Sequence, residues 1–134
     1  MTSVHSILRQ DEERAERLVL IAEGEATPLL PRFPGDLRWS FDALDPSLEV
    51  QFDNVSSVMF FDEMFTTSEN FPYLKACDHK IGLFECIGST YLDRLRDNPM
   101  TGRTFRNHRH FLYWDKHFDW HITCEEIQIT QSNG

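Results

Sequence analysis

From residue 37 onward, apolar and polar positions alternate. Leu48, Val50 and Phe52 stand against Glu49 and Gln51, the period of a strand with one buried face. Leu37-Arg-Trp-Ser-Phe41 repeats the pattern, and residues 55–64 carry a third run. Asp45-Pro-Ser and Asp53-Asn supply the turns between them, because proline presets φ and Asp or Asn bonds its own backbone. Residues 66–80, with Pro72, predict a loop, and residues 81–87 a fourth strand. Residues 109–114 and 119–129 predict a hairpin around Asp115-Lys-His-Phe.

Before residue 37 the period is different. Val4, Ile7, Leu8, Ala15, Leu18, Val19 and Ala22 recur three and four apart among Arg and Glu, which predicts a helix over 3–23 ending at Gly24. Asp11 interrupts the stripe, and residues 18–21 also fit a short strand. Residues 27–35 hold three prolines and a glycine; lacking amide donors, they predict a connector. Residues 88–99 predict a second helix. Thr90 is its expected N-cap, with Asp93 three residues on, Arg94 and Arg96 near its end, and Pro99 as its stop.

This order predicts one α+β domain: a helix over 1–24, a proline-rich connector over 25–36, a sheet with one helix over 37–130, and a tail over 131–134. Strands so close in sequence, without crossover helices, predict a mainly antiparallel sheet covered on one face by one or two helices. Residues 48–52 and 109–129 are expected in that one sheet.

Length and composition agree with one domain: 134 residues, with 11 Phe, 3 Trp and 3 Tyr to fill a core. The cysteines, Cys77, Cys86 and Cys124, are odd in number with no close pair, so a disulfide framework is not expected. The longest apolar run, residues 18–22, is too short to span a bilayer. With no basic, apolar leader pattern, the expectation is a cytoplasmic protein with reduced thiols and no membrane partner.

Charge sharpens this. The net charge is -9, and residues 36–93 carry 3 basic against 11 acidic groups. Such a middle repels phosphate backbones, which argues against nucleic acid. Residues 94–110 reverse the sign, with 5 basic against 1 acidic, and are expected to pair with the acidic part of the chain.

Four of the six histidines fall between residues 108 and 121. If the hairpin turns at Lys116 and His117, His110 lies opposite Thr123 and His121 opposite Leu112. His108, His110 and His121 then share a face near Glu125, a donor set suited to Zn²⁺ or Fe²⁺. The same face carries Leu112 and, if the alternation continues, Trp114, so the histidines read rather as core or as a pH-sensitive structural cluster, and no cofactor is expected. Gly102 with His108-Arg-His110 resembles the first cupin motif, but Asp115 stands where that family has Glu, and too few residues follow for the second motif. His121-Ile-Thr123 resembles half of the paired motif of two-histidine phosphoesterases, which need a second copy for acid and base. Cys77-Asp-His79 has no spacing that aligns a thiol on an imidazole. The six glycines form no phosphate-binding loop.

The acidic set Asp53, Asp62, Glu63 and Glu69 is interleaved with Phe60, Phe61, Phe65 and Phe71. Carboxylates beside outward aromatics suit a protein interface; Phe61, Asp62, Glu63 and Glu69 are the expected contacts for a partner with a basic surface. Ser89-Thr-Tyr-Leu and His110-Phe-Leu-Tyr-Trp-Asp resemble the ends of small bacterial cytoplasmic proteins, some of which are similar to immunity proteins. That resemblance covers about the last third of the chain. It implies a small acidic inhibitor of a basic toxin domain. The expected function is a non-catalytic protein-binding module. The alternative is a small metal-dependent enzyme built on His108, His110 and His121.

Overall fold

The computed structural model describes residues 15–29, 37–42, 44, 46–62, 80–100, 102–115 and 118–131; for 28, 29, 60–62 and 118 it describes the backbone alone. The elements in order are β1 (Arg17–Glu23), β2 (Thr27–Leu29), β3 (Leu37–Phe41), β4 (Leu48–Asp53), β5 (Ser57–Asp62) and β6 (Gly82–Ile87). Then come α1 (Thr90–Asp97), α2 (Gly102–Phe105), β7 (Arg109–Trp114), β8 (Phe118–Cys124) and β9 (Glu126–Gln131). Every strand pairing is antiparallel.

There are two sheets, not the expected one. One runs β1-β6-β7-β8-β5 and the other β2-β3-β4-β9, so β4 lies apart from β7 and β8. The reason is the amount of apolar surface to cover. Trp39, Phe41, Val50 and Phe52 project from the smaller sheet, and Leu83, Phe111, Tyr113 and Ile122 from the larger, all buried in one core. Two short helices could not hide both sets, so the sheets hide each other. Trp39 lies at the centre, edge-on to Tyr113 at 4.5 Å, Trp120 at 5.3 Å and Phe52 at 6.0 Å between ring centroids, the geometry that ring quadrupoles favour.

The two sheets are joined at a corner. The β4–β9 ladder ends at the Asp53↔Glu126 pair, and the β5–β8 ladder begins at Ser57↔Thr123. Between those pairs lie Asn54, Val55 and Ser56 on one strand but only Cys124 and Glu125 on the other. The extra residue is a bulge that turns the ribbon from one sheet into the next. Asn54 takes the left-handed conformation, φ 55°, which Asn tolerates better than most residues. Glu125 N donates to Asp53 O at 3.1 Å and Ser56 N to Thr123 O at 2.9 Å, stitching the bend. The predicted strand over 119–129 is therefore two strands, broken at Glu125.

The N-terminal expectations also need correction. Residues 17–23 are strand β1, not helix, paired with β6 through a register shift between Leu20 and Ala22. Residues 3–14 lie outside the described residues. The shift sends Leu18 to a cluster with Cys86 and Leu112, and Ala22 to the main core. Apolar residues aimed at both faces of a bulged strand mimic helical spacing. Thr27–Leu29, expected in the connector, pairs with β3 as an edge strand; Pro28 is tolerated there because the amide it lacks is not needed on an outer edge. Gln131, expected in the tail, is the last residue of β9, and residues 132–134 lie outside the description, as does most of the expected 66–80 loop.

Helix α1 begins one residue earlier than predicted: Ser89, not Thr90, is the N-cap, its Oγ accepting from Leu92 N at 3.1 Å. It packs on the outer face of the larger sheet, where Tyr91 lies edge-on to His110 at 5.5 Å and its hydroxyl reaches Met59 Sδ, and against α2, where Arg96 Nε donates to Phe105 O. The fold is thus antiparallel sheet for the most part, with α1 touching one face. Among the described residues no helix is long and apolar enough to cross a membrane.

Candidate functional site

The hairpin register follows the alternation: His110 pairs with Thr123 and His121 with Leu112. His110, His121, Thr123 and Asp119 therefore share the outer face of the larger sheet, and all four are buried. His110 Nε2 and His121 Nδ1 share a hydrogen bond of 2.8 Å, their ring centroids 5.1 Å apart. His110 Nδ1 shares another, 2.7 Å long, with Ser89 Oγ. A continuous chain thus runs from the first turn of α1 through Ser89 and His110 to His121. Gly88 makes the delivery possible: at φ 68° it sits where a side chain is strained, and a Cβ there would meet Glu16 Cγ at 2.5 Å.

Burial sets the charge of this chain. Desolvation pushes His110 down to about 3, and desolvation with the neighbouring His110 holds His121 well below its ordinary value. Both rings are neutral at physiological pH. His110 spends both ring nitrogens on hydrogen bonds to Ser89 and His121, which leaves it no lone pair for a metal.

His108 is not part of that chain. It lies just before β7 rather than on it, and its Nε2 shares a 2.6 Å hydrogen bond with Ser56 Oγ at the corner. Burial lowers its pKa, against the pull of Glu125 and with the push of Arg96. A Ser–His pair of this kind needs a carboxylate on the far ring nitrogen to act as an activated nucleophile. Nδ1 of His108 is buried without a hydrogen-bond partner among the described residues. The pair is better understood as a brace: Arg96 donates to His108 O and Phe105 O, tying α1 and α2 to the corner beneath Ser56. Among the described residues no three His, Cys, Asp or Glu are grouped to hold a metal ion.

Of the expected partner contacts, the side chains of Phe61 and Asp62 lie outside the described residues, as do Glu63 and Glu69 entirely. Asp53 is described, and it shows an acidic surface that the sequence reading did not single out. Asp53 stands directly opposite Glu126 across the β4–β9 ladder, with Glu125 beside them at the corner. Gln51 Nε2 and Gln128 Nε2 each donate to Asp53 at 2.7 Å, and Asn54 Nδ2 donates to Glu125 at 2.9 Å. Glu49, on the same outward face, lies 3.8 Å from Arg38. Like charges directly across a ladder oppose folding; here amide side chains donate to Asp53 and Glu125, and the Arg109 guanidinium is attracted to Glu126. The signal in the sequence was Glu125-Glu126 itself, hidden because residues 119–129 read as one strand.

Two residues of the basic stretch meet acidic groups, Arg96 lying 3.9 Å from Asp93 and Arg109 reaching Glu85. Arg109 makes a two-pronged pair with Glu85, both contacts 2.8 Å, and the Glu85 carboxylate raises its pKa. Arg94 lies 5.8 Å over the Tyr91 ring. Cys86 and Cys124 are both buried, and burial pushes the Cys124 thiol up to about 12. Comparison with protein-family models, with curated proteins and with solved structures gave no match.

Proposed function

We propose that the chain is a non-catalytic, cytoplasmic α+β module that binds a protein partner through acidic surface, in its most concrete form an immunity-type inhibitor of a basic protein. The observation that carries this reading is the Asp53–Glu126 pair with Glu125 beside it. Three carboxylates gathered at one corner make a local negative surface to which a cationic partner would be drawn. The groups able to do covalent or metal chemistry point the other way. His110, His121, Cys86 and Cys124 are buried, and the two histidines are spent on holding α1 to the sheet. The aromatic and acidic run Phe61, Asp62, Glu63 and Glu69 would extend the same kind of surface.

The test uses a partner captured from the native host and identified by mass spectrometry, which should be a basic protein. Association is then followed on a biosensor across a range of salt. Glu125→Lys with Glu126→Lys, and separately Glu63→Lys with Glu69→Lys, should leave folding nearly unchanged, since exposed charges contribute about 0–1 kcal/mol each. At least one pair should slow association, and the wild-type on-rate should fall as salt rises. Unchanged kinetics for both double variants would overturn the reading.

A further inference from the structure

Each sheet ends in strands whose outer backbone groups have no neighbour strand among those described, and such edges invite pairing unless they are blunted. In the larger sheet, β1 is interrupted by its register shift between Leu20 and Ala22, and the other edge, β5, keeps an unbroken register but is described as backbone alone over residues 60–62. In the smaller sheet, β2 is three residues long and contains Pro28. The opposite edge, β9, carries no such device. It is six residues long, keeps one unbroken register against β4, contains no proline, and has Glu126 as its one charged residue. Ile127 packs on the core, whereas Ile129, on the same face opposite the fully buried Val50, is left 49% exposed.

We propose that β9 is a homodimerisation edge: two copies of this chain pair their β9 strands antiparallel about a two-fold axis through Gln128, joining their smaller sheets into one. The register follows from the side chains. A two-fold axis normal to the sheet keeps each face on its own side, so paired residues must share a face. Centring on Gln128 sets Ile127 against the partner's Ile129 twice, on the core face. It sets Glu126 against the partner's Thr130 twice, on the outer face. Cross-strand pairs of β-branched residues stabilise a ladder, and the half-open Ile129 is the residue this register covers. No charge meets a like charge. That favours a second copy as the occupant: although the chain has a net charge of -9, this register keeps the Glu125–Glu126 carboxylates of the two copies at opposite ends of the paired strands. The outward face with Asp53 and Glu126 stays open in the dimer, so the inference is independent of the proposed partner.

Sedimentation velocity of the full chain across a concentration series should show a monomer–dimer equilibrium. Raising salt should strengthen it, because screening weakens the repulsion between two acidic copies; the proposed basic partner gives the opposite trend. Ile129→Lys, at an exposed edge position, should keep the circular-dichroism spectrum and weaken dimerisation by about tenfold or more. Gln128→Cys should form an intermolecular disulfide under mild oxidation, since position 128 faces its own copy across the axis. A monomer at every concentration overturns the proposal. So does a dimer that Ile129→Lys leaves intact, or one in which the introduced cysteines at 128 fail to cross-link.

Discussion

His110 and His121 are diagonal neighbours across the β7–β8 ladder, and their rings share a 2.8 Å hydrogen bond at full burial. Each faces a non-histidine residue directly, Thr123 and Leu112, so the contact depends on both rings leaning along the strands. With Ser89 at the far nitrogen of His110, the pair fastens helix α1 to the sheet. It does so as neutral groups, and the first prediction follows from that.

Stability should fall as pH drops below about 6.5, the ordinary histidine value. Above it both folded and unfolded chains hold these rings neutral. Below it the unfolded chain takes up protons that the buried rings refuse, His110 down to about 3. Stability then rises with pH by up to about 1.4 kcal/mol per pH unit for each ring. Urea unfolding at pH 7.5, 6.5, 5.8 and 5.0 reads the slope before most carboxylates titrate. A flat profile over that range would mean that the pair is not buried in its neutral form.

Ser89→Ala should destabilise the fold by about 1–3 kcal/mol, because it removes both the cap of α1 and the partner of a buried imidazole nitrogen. Thr90→Ala, one residue on at an exposed position, should cost under about 0.5 kcal/mol. Denaturant midpoints of the two variants, compared with the wild type, decide where the helix begins.

Trp39→Ala should cost about 3–5 kcal/mol, as the indole is fully buried between the two sheets. Trp39→Phe should cost much less, about 1–2 kcal/mol. It keeps an aromatic ring beside Tyr113 and removes an indole N–H that is buried without a hydrogen-bond partner among the described residues. Equal losses for the two variants would show that the indole nitrogen is bonded in the folded protein.

Cys86 and Cys124 should resist alkylation in the folded protein. The thiolate is the reactive form, and Cys124 is held up near 12 by burial. Peptide mapping after iodoacetamide at pH 8 should find both unmodified, and both modified once guanidinium unfolds the chain. Rapid labelling of Cys124 under native conditions would place it at the surface.

Much of the sheet was legible because alternation is local. Leu37–Phe41 and Leu48–Asp53 each bury one face more than the other, and a period of two records that residue by residue. The hairpin register was legible too, since fixing the turn at residues 116 and 117 fixes every cross-strand pair, His110 with Thr123 and His121 with Leu112 among them. Strand β1 was not legible. Its apolar residues serve two different clusters across a register shift, so its pattern imitates a helix.

What only the tertiary structure decided is how these strands divide. Alternation tells a strand that it has an apolar face but not which face covers it, so β4 and β7 read as members of one sheet. The division is made at the Asn54–Ser56 bulge and at Glu125, where one extra residue and a left-handed Asn54 turn the ribbon. That bend also assembled two polar contacts away from the histidine pair. It brought Ser56 onto His108 and set Glu125 beside Asp53 and Glu126. The sequence by itself determined the strand faces and the hairpin register, because these depend on residues a few positions apart. Which residues meet across the corner depends on loop closure and sheet packing over some seventy positions, as in the Asn54–Glu125 bond, and no local period encodes that.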